Sequence, residues 1–250
     1  MSERSAWHAA APADAAARSA APLVYVDALV KHYTDAGRVV RVLEGVHLEV
    51  QRAEKLAIVG ESGVGKSTLL HILGALDRPT SGVVRYEDAD LDSLSARALA
   101  AFRNREIGFI FQFHHLMADM TAEENVMMPA LIAGLGWDRA RREARDILAR
   151  VGLSDRLEHK PGELSGGEQQ RVSVARAVVL SPRVLLADEP TGNLDPGTGE
   201  EVQRLIIELN GERGVALVVV THNPRLAAAM DRVMRLHDGR LETAVGVTSA

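Results

Sequence analysis

Four short apolar runs divide the chain, and each is followed by a glycine or a polar residue. They cover residues 56–59, 107–111, 184–187 and 215–220. Because their apolar character is continuous rather than alternating, these runs are typical of strands covered on both faces, as in a parallel sheet flanked by helices. Helical periodicity lies between them, in residues 66–76, 139–151, 168–180 and 198–209. The pattern predicts the α/β fold class with a mostly parallel sheet.

Two segments near the N-terminus alternate between apolar and polar residues, at 23–29 and 39–50. Alternation predicts a half-exposed antiparallel β layer before the first core strand. Residues from about 113 to 164 have no strong strand signal, so their helices are expected to form a subdomain inserted between two halves of the sheet. We expect one domain over residues 23–243, with an alanine-rich flexible tail at 1–22 and a second flexible tail at 244–250.

Composition narrows the classes of function. The 250-residue chain has no cysteine, which excludes disulfides and thiolate metal sites and fits a reducing compartment. Its formal net charge of −5 lacks the basic excess of proteins that bind a nucleic-acid backbone, so we expect no nucleic-acid partner. No segment approaches the roughly 18 consecutive apolar residues that span a bilayer. We therefore expect no direct membrane insertion, and any membrane role requires a partner protein.

A phosphate-binding loop is the most specific motif. Residues 60–68 read G-E-S-G-V-G-K-S-T, which matches G-x-x-x-x-G-K-[ST], and they follow an apolar strand and open a helix. The glycines let backbone N–H groups point at phosphate oxygens, and the helix N-terminus adds partial positive charge. Lys66 would reach the β and γ phosphates, and the Ser67 hydroxyl would hold Mg²⁺. The alternative is a plain glycine-rich turn between a strand and a helix.

Two adjacent carboxylates follow the third apolar run. Asp188 and Glu189 lie at the end of a predicted buried strand, where ligands gather in open α/β sheets. Nucleotide hydrolysis needs an acid that positions the metal ion and a base that orients water, so we assign these roles to Asp188 and Glu189 respectively. The alternative is a charged strand end followed by a proline.

A second candidate anion site begins the helix predicted at 168–180. Ser165 and Glu168 fit the S-x-x-E capping box, which explains helix initiation without any ligand. Gly166 and Gly167 lie between them and would let the helix N-terminus approach an anion closely. The chain therefore has two candidate phosphate sites but only one phosphate-binding loop.

The chain resembles the nucleotide-binding subunits of ABC transporters. The resemblance rests on an ordered set of motifs: the phosphate loop, Gln112, the Ser165–Glu168 motif, Asp188-Glu189 and His222. The resemblance covers residues 23–241. It implies a P-loop NTPase core of the ABC type, with ATP and Mg²⁺ as ligands. It also implies a head-to-tail homodimer in which each ATP lies between Lys66 of one subunit and the Ser165 motif of the other, which would account for two anion sites and one loop.

The resemblance implies three sets of functional residues. The catalytic set is Glu189, His222 and Gln112. The metal set is Ser67, Gln112 and Asp188. The nucleotide-contacting set is Tyr33, Gly60, Glu61, Ser62, Gly63, Val64, Gly65, Lys66, Ser67, Thr68, Ser165, Gly166, Gly167 and Glu168.

Three of these assignments, and the interpretation of one further residue, have structural alternatives. Gln112, implied to sense Mg²⁺, is otherwise a strand-end glutamine, and His222, implied to contact the γ phosphate and the catalytic water, is otherwise a structural histidine. Tyr33, implied to stack on adenine, is otherwise a half-buried strand tyrosine. Asp195 lies in a stretch that resembles the loop crossing the dimer interface, but it also fits the cap of the next helix.

Residues 107–117, 121–126 and 128–129 resemble a narrower branch, the ATPases of bacterial lipoprotein-releasing systems. This implies an integral membrane permease partner and a peripheral position at the cytoplasmic face of the inner membrane. The alternatives are macrolide-exporter-like or cell-division-like ABC systems, a soluble non-transport ABC ATPase, and a non-hydrolysing regulatory module, which Glu189 argues against. The apolar side chains of Phe113, Leu116, Met117 and Met120 either line a partner groove or pack the subdomain's own core.

Overall fold

The computed structural model describes residues 21–35, 37–87 and 89–244. The predicted tails at 1–22 and 244–250 lie outside the described residues, apart from Ala21, Pro22 and Ala244. None of the helices in the described residues is long and apolar enough to cross a bilayer.

The strands and helices, in chain order, are β1 (Val24–Asp35), β2 (Arg38–Val50), β3 (Lys55–Val59), α1 (Lys66–Leu73), β4 (Ser81–Tyr86), β5 (Ala89–Asp90), α2 (Ala96–Glu106), β6 (Ile107–Ile110), α3 (Ala122–Ile132), α4 (Trp137–Arg150), α5 (Gly166–Val178), β7 (Val184–Asp188), α6 (Pro196–Arg213), β8 (Ala216–Val220), α7 (Pro224–Ala228), β9 (Arg232–His237) and β10 (Arg240–Thr243).

The central sheet has six strands in the order β10-β9-β3-β8-β7-β6. All neighbouring pairs are parallel except β10 with β9. Alternate residues of β7 enter different cores, since Leu185 belongs to one buried cluster and Leu186 to the other. Both faces of the sheet are therefore covered, which explains the continuous apolar runs and confirms the predicted α/β class.

The N-terminal layer is a four-stranded sheet in the order β2-β1-β4-β5, with antiparallel pairing throughout. The second half of β2 alternates between buried and less buried residues, with Leu43, Val46, Leu48 and Val50 directed into the core. This confirms the predicted antiparallel layer. Strands β4 and β5, which complete it, had no distinct signal in the sequence.

Helices α3 and α4 lie in the segment predicted to be an inserted subdomain. The segment leaves the sheet after β6 and returns through α5 to β7, the strand that pairs with β6. A capping box of Thr121 and Glu124 begins α3. The buried carboxylate of Glu123 on α3 binds Arg141 and Arg145 of α4 and so ties the two helices together. The limits of the domain and of the subdomain stay predictions.

Helix boundaries differ from the predictions where local caps decide them. Helix α1 ends at Leu73 rather than at residue 76, because Gly74 follows and packs directly against Phe109. Helix α6 extends beyond 198–209 at both ends, since Asp195 caps its start and Gly214, with φ of 62°, ends it.

We predict that Gly74→Ala destabilises the fold. A Cβ atom at this position would lie 1.8 Å from Cζ of Phe109, although the backbone φ of −81° suits alanine. The expected loss is about 1–3 kcal/mol of unfolding free energy, measured by denaturant unfolding. Gly211→Ala is the matched control: Gly211 lies in α6 with no atom within 4 Å of its Cβ position, so this change should stabilise by about 0.5–1 kcal/mol. Equal effects of the two substitutions would contradict the packing argument.

Candidate active site

The candidate site is assembled by four neighbouring parallel strands. Strands β3, β8, β7 and β6 run side by side, so their carboxyl ends meet at one edge of the sheet. The residues that follow these strands are, in the same order, the phosphate loop, Thr221-His222, Glu189 and Gln112. The fold therefore brings together predicted site residues that are up to about 160 positions apart in the chain.

The loop before α1 has the backbone of an anion cradle. Gly65, with φ of 108°, ends the loop, and a Cβ atom there would lie 2.7 Å from Cγ1 of Val42. Helix α1 has neither a side-chain cap nor an acidic residue in its first turn, so its N-terminal N–H groups stay available to an anion. The Lys66 ammonium donates to the carbonyl oxygens of Gly60 at 2.9 Å and Glu61 at 2.8 Å, which places a cation over the loop.

Glu189 is held by the end of β8. Its N–H donates to the Val220 carbonyl at 2.9 Å, and its backbone has the left-handed φ of 44°. The carboxylate Oε1 accepts from the His222 N–H at 2.9 Å and lies 2.7 Å from Nδ1 of His222. Oε2 accepts from the Thr221 hydroxyl at 3.1 Å. A left-handed non-glycine residue costs on the order of 1–3 kcal/mol, so these contacts maintain a strained position.

Asp188 and Ser67 supply the oxygen donors that a magnesium ion requires. Asp188 is the last residue of β7, Ser67 is an exposed residue in the first turn of α1, and α1 packs against β7. Carboxylate and hydroxyl oxygens suit Mg²⁺, which is usually held by one or two protein groups together with substrate phosphates and water. The described residues contain no cluster of three or more His, Asp or Glu side chains that could hold a metal alone. The donor set fits a metal shared with a nucleotide.

Gln112 is joined to the loop that follows Glu189. Its Nε2 donates to Oδ1 of Asn193 at 3.0 Å, and Nδ2 of Asn193 donates back to the Gln112 carbonyl at 3.1 Å. Two residues beyond Asn193, Asp195 accepts from the Thr198 N–H at 3.1 Å and caps α6. The capping alternative for Asp195 therefore holds, whereas its position at a dimer interface stays a prediction.

The Ser165 motif forms a complete capping box. The Ser165 hydroxyl accepts from the Glu168 N–H at 3.3 Å, and the Glu168 carboxylate accepts from the Ser165 N–H at 2.8 Å. This backbone hydrogen bond, with the guanidinium of Arg156, lowers the pKa of Glu168 to about 2. In the described part of the chain, no hydrogen bond links the motif to residues 60–68 of the same subunit.

The two glycines of this motif have different surroundings. A Cβ atom on Gly167 would lie 2.3 Å from Cγ2 of Thr198, so Gly167 is needed for packing of α5 on α6. Gly166 is exposed, and the nearest atom to its Cβ position is Cδ2 of Leu194 at 3.6 Å. Only Gly166 therefore keeps the open approach to the helix N-terminus that the sequence interpretation assigned to both.

Tyr33 lies near the end of β1 and is 41% exposed. Its hydroxyl donates to Asp77 at 2.7 Å, and the Lys31 ammonium lies 4.6 Å from the ring centroid. Partial burial and the Asp77 carboxylate raise the pKa of Tyr33. The ring is therefore oriented by charged neighbours, and both the stacking role and the half-buried alternative remain consistent with its position.

The apolar segment after Gln112 was interpreted either as a partner surface or as part of the subdomain's core, and its residues differ in this respect. Phe113 is 66% exposed, whereas Leu116 packs against the buried cluster of the helical segment. The Asn125 side chain accepts from the Met117 N–H at 2.8 Å and donates to the carbonyls of Met117 and Met120, each at 3.1 Å. Leu116 therefore packs against the core, and a partner surface here would begin with Phe113.

Sequence reasoning missed three polar residues that organise the site. Thr221 orients Glu189, Asn125 holds the segment after Gln112, and Gln170 of α5 contacts the strand ends beside Gln112 and Glu189. All three are buried. The available signal was a polar residue at an otherwise apolar, buried position, since such groups must be hydrogen-bonded inside the protein.

Comparisons with known proteins show which chains this one resembles. The family model described as "ABC transporter" matches residues 43–192. The chain is 58% identical over 219 residues to the "Lipoprotein-releasing system ATP-binding protein LolD" of Geobacter metallireducens, with coverage of 88% of this chain and 97% of that protein. It is 51% identical over 222 residues to the protein of the same name from Myxococcus xanthus, with coverage of 89% and 99%.

Two solved structures also resemble this chain. The structure described as "Dimeric structure of a post-hydrolysis state of the ATP-binding cassette MJ0796 bound to ADP and Pi" aligns with a TM-score of 0.81 and 37% identity. The alignment covers 89% of this chain and 99% of that one. The cbiO1 structure from Clostridium perfringens aligns with a TM-score of 0.78 and 29% identity, over 88% and 87% of the two chains.

We predict that Lys66→Ala weakens ATP binding severely. Losing a charged hydrogen bond of this kind costs about 1.5–3 kcal/mol, or roughly a 10- to 100-fold rise in the Kd for ATP. The Kd can be measured by calorimetry with a non-hydrolysable ATP analogue. Lys55→Ala is the control, because Lys55 lies at the opposite end of β3 and pairs with Asp231. An unchanged affinity in Lys66→Ala would refute the assignment.

Proposed function

The chain belongs to the ABC transporter family, and we propose that it is the ATP-hydrolysing subunit of a system that releases lipoproteins from the bacterial inner membrane. It would act as a peripheral subunit at the cytoplasmic face, bound to an integral membrane permease. The observation that carries the proposal is the Glu189 carboxylate, fixed by Thr221 and His222 at the sheet edge that also bears the phosphate loop. The names of the relatives at 51% and 58% identity support lipoprotein release as the transport process.

ATP binding follows from the loop before α1. Lys66 would exchange its bonds to the Gly60 and Glu61 carbonyls for the β and γ phosphates, while the N–H groups of the loop and of α1 would receive the phosphate oxygens. Residues 60–68 contribute this cradle, and Tyr33 would stack on adenine. Ser67, Asp188 and Gln112 would hold Mg²⁺. When bound, that ion supplies charge neutralisation on the phosphates.

Hydrolysis would use Glu189 as the general base. Its carboxylate would accept a proton from the water that attacks the γ phosphorus, so that ATP and water yield ADP and inorganic phosphate. The Thr221 hydroxyl and the His222 N–H hold the two carboxylate oxygens, which keeps the base oriented. His222 is largely exposed beside Glu189 and would contact the γ phosphate.

A head-to-tail homodimer would complete each site. The exposed Ser165 and Gly166 at the start of α5 form an anion-binding helix end that no hydrogen bond connects to the phosphate loop within the described residues of one subunit. Glu168 belongs to the same motif and stabilises its capping box. The dimeric state of the ADP- and phosphate-bound cassette that resembles this chain supports the arrangement.

We expect Glu189→Gln to bind ATP but to hydrolyse it at least about 100-fold more slowly, because the amide keeps the size of the side chain and loses the base. The variant should then accumulate as an ATP-bound dimer in size-exclusion chromatography. Glu200→Gln, an exposed glutamate on α6 that pairs with Arg225, is the control and should behave as the wild type. A Glu189→Gln variant that stays monomeric with saturating ATP would count against the sandwich dimer.

A groove beside β6 is the proposed permease contact. It has a volume of about 400 Å³ and is lined by β6, α2, α3 and α5, including Phe111, Pro129 and Ile132. Ile132 is 67% exposed, and Leu76 at the groove is also exposed. Exposed apolar residues around a groove favour docking of an amphipathic helix. Phe113, two positions beyond Phe111, would extend this surface.

Phe113→Ala should leave the isolated subunit intact but weaken permease binding. An exposed anchor of this kind contributes about 2 kcal/mol, so affinity should fall more than tenfold, while the melting temperature and the free ATPase rate stay unchanged. In cells, lipoproteins should remain in the inner membrane. The control is Leu116→Ala, which removes a core contact and should lower the melting temperature instead. Normal permease pull-down with Phe113→Ala would sink the docking proposal.

A further inference from the structure

Gln170 is a buried amide at the junction of three active-site elements. It lies on α5, is 1% exposed, and its Nε2 donates to the Pro190 carbonyl at 2.6 Å and to the Phe111 carbonyl at 3.4 Å. Its Oε1 is also buried and has no hydrogen-bond partner among the described residues. Burying a polar amide costs free energy unless its groups are hydrogen-bonded. The two bonds that Nε2 donates offset this cost, so they indicate what the side chain does.

We propose that Gln170 is a positioning residue for ATP hydrolysis, which sets the spacing between the turn that carries Gln112 and the turn that carries Glu189. Phe111 immediately precedes Gln112, and Pro190 immediately follows Glu189. Because β6 and β7 are adjacent parallel strands, one amide group can hold both strand ends. This inference rests on the proposed hydrolytic function.

The turn after β7 depends on such support. Glu189 has a left-handed backbone, and the Gly192 N–H donates to the Glu189 carbonyl at 3.0 Å, which closes a tight turn around Pro190. Gln170 donates to the buried carbonyl in the middle of this turn. Without that bond, the turn would relax from its strained form. The Glu189 carboxylate would then lose the position in which Thr221 and His222 hold it.

The turn after β6 is held by the same helix at a second point. Arg176 of α5 donates to the carbonyl oxygens of His114 at 2.8 Å and His115 at 2.7 Å. Gln170 and Arg176 thus bracket the segment that contains Gln112. Gln112 and Asn193 also form two hydrogen bonds with each other. The two turns are therefore joined to each other as well as to α5.

The first test is Gln170→Met in the purified full-length chain. Methionine keeps the length and volume of the side chain and removes both donated bonds. We expect kcat for Mg-ATP, measured by phosphate release, to fall at least tenfold, while the Kd for ADP and for a non-hydrolysable ATP analogue, measured without Mg²⁺, changes less than twofold. If Gln170 had a purely structural role, the substitution would lower nucleotide affinity, kcat and the melting temperature together.

Ser173→Ala is the matched control on the same helix. The Ser173 hydroxyl is fully buried and, like Gln170 Oε1, has no hydrogen-bond partner among the described residues, but it contacts neither turn through a hydrogen bond. Its kcat and Kd should match the wild type. A kcat of Gln170→Met within twofold of the wild type would overturn the proposal. Absence of ATP turnover in the wild type would instead refute the proposed function.

Gln170→Glu provides an independent readout if the methionine variant does not fold. The introduced carboxyl group would face two carbonyl oxygens in a buried site, so its charged form is disfavoured and its pKa is raised. Its protonated form can donate one hydrogen bond, whereas its ionised form can donate none. The ratio of mutant to wild-type kcat should therefore rise as pH is lowered. A ratio independent of pH, or one that falls, would contradict the positioning role.

Discussion

Parallel pairing of β3, β8, β7 and β6 is the constraint on which the site depends. Parallel strands end at the same edge of a sheet, and here the four ends carry the phosphate loop, His222, Glu189 and Gln112. The pairing is stabilised by apolar residues buried on both faces, which belong to two separate cores. A shift of one strand would therefore expose core residues and separate the chemical groups at the same time.

Polar side chains that are buried or half-buried connect this edge to the helical segment. Asn125 uses its amide to hold the loop after Gln112, and Gln170 and Arg176 hold the two ends of the same region from α5. Such bonds are directional and lie in a low-dielectric interior, so they define positions more sharply than apolar contacts do. Helix α5 also begins at the exposed Ser165 motif, so the same helix connects this proposed anion site to the interior of the sheet edge.

Local electrostatics, rather than net charge, supports the proposed anion site in this acidic chain. The chain carries a formal net charge of −5. At the phosphate loop, however, an uncapped helix N-terminus and the Lys66 ammonium concentrate positive potential on a few atoms. Glu189 lies at the same sheet edge, where its carboxylate accepts hydrogen bonds from Thr221 and His222. The groups proposed to bind phosphate and to accept a proton therefore follow different strands, β3 and β7.

Features that depend on neighbouring residues could be predicted from the sequence. Continuous apolar runs predicted β3, β6, β7 and β8, and residues 60–68 predicted the strand, loop and helix start, because strand burial and loop geometry are encoded locally. Helix ends were less predictable, since contacts such as Gly74 with Phe109 join distant segments. Tertiary packing alone places Gly167 against Thr198, and it packs Leu116 against the core while leaving Phe113 exposed. It alone decided that Gln170 bridges two turns, because burial and hydrogen-bond partners depend on which remote segments meet.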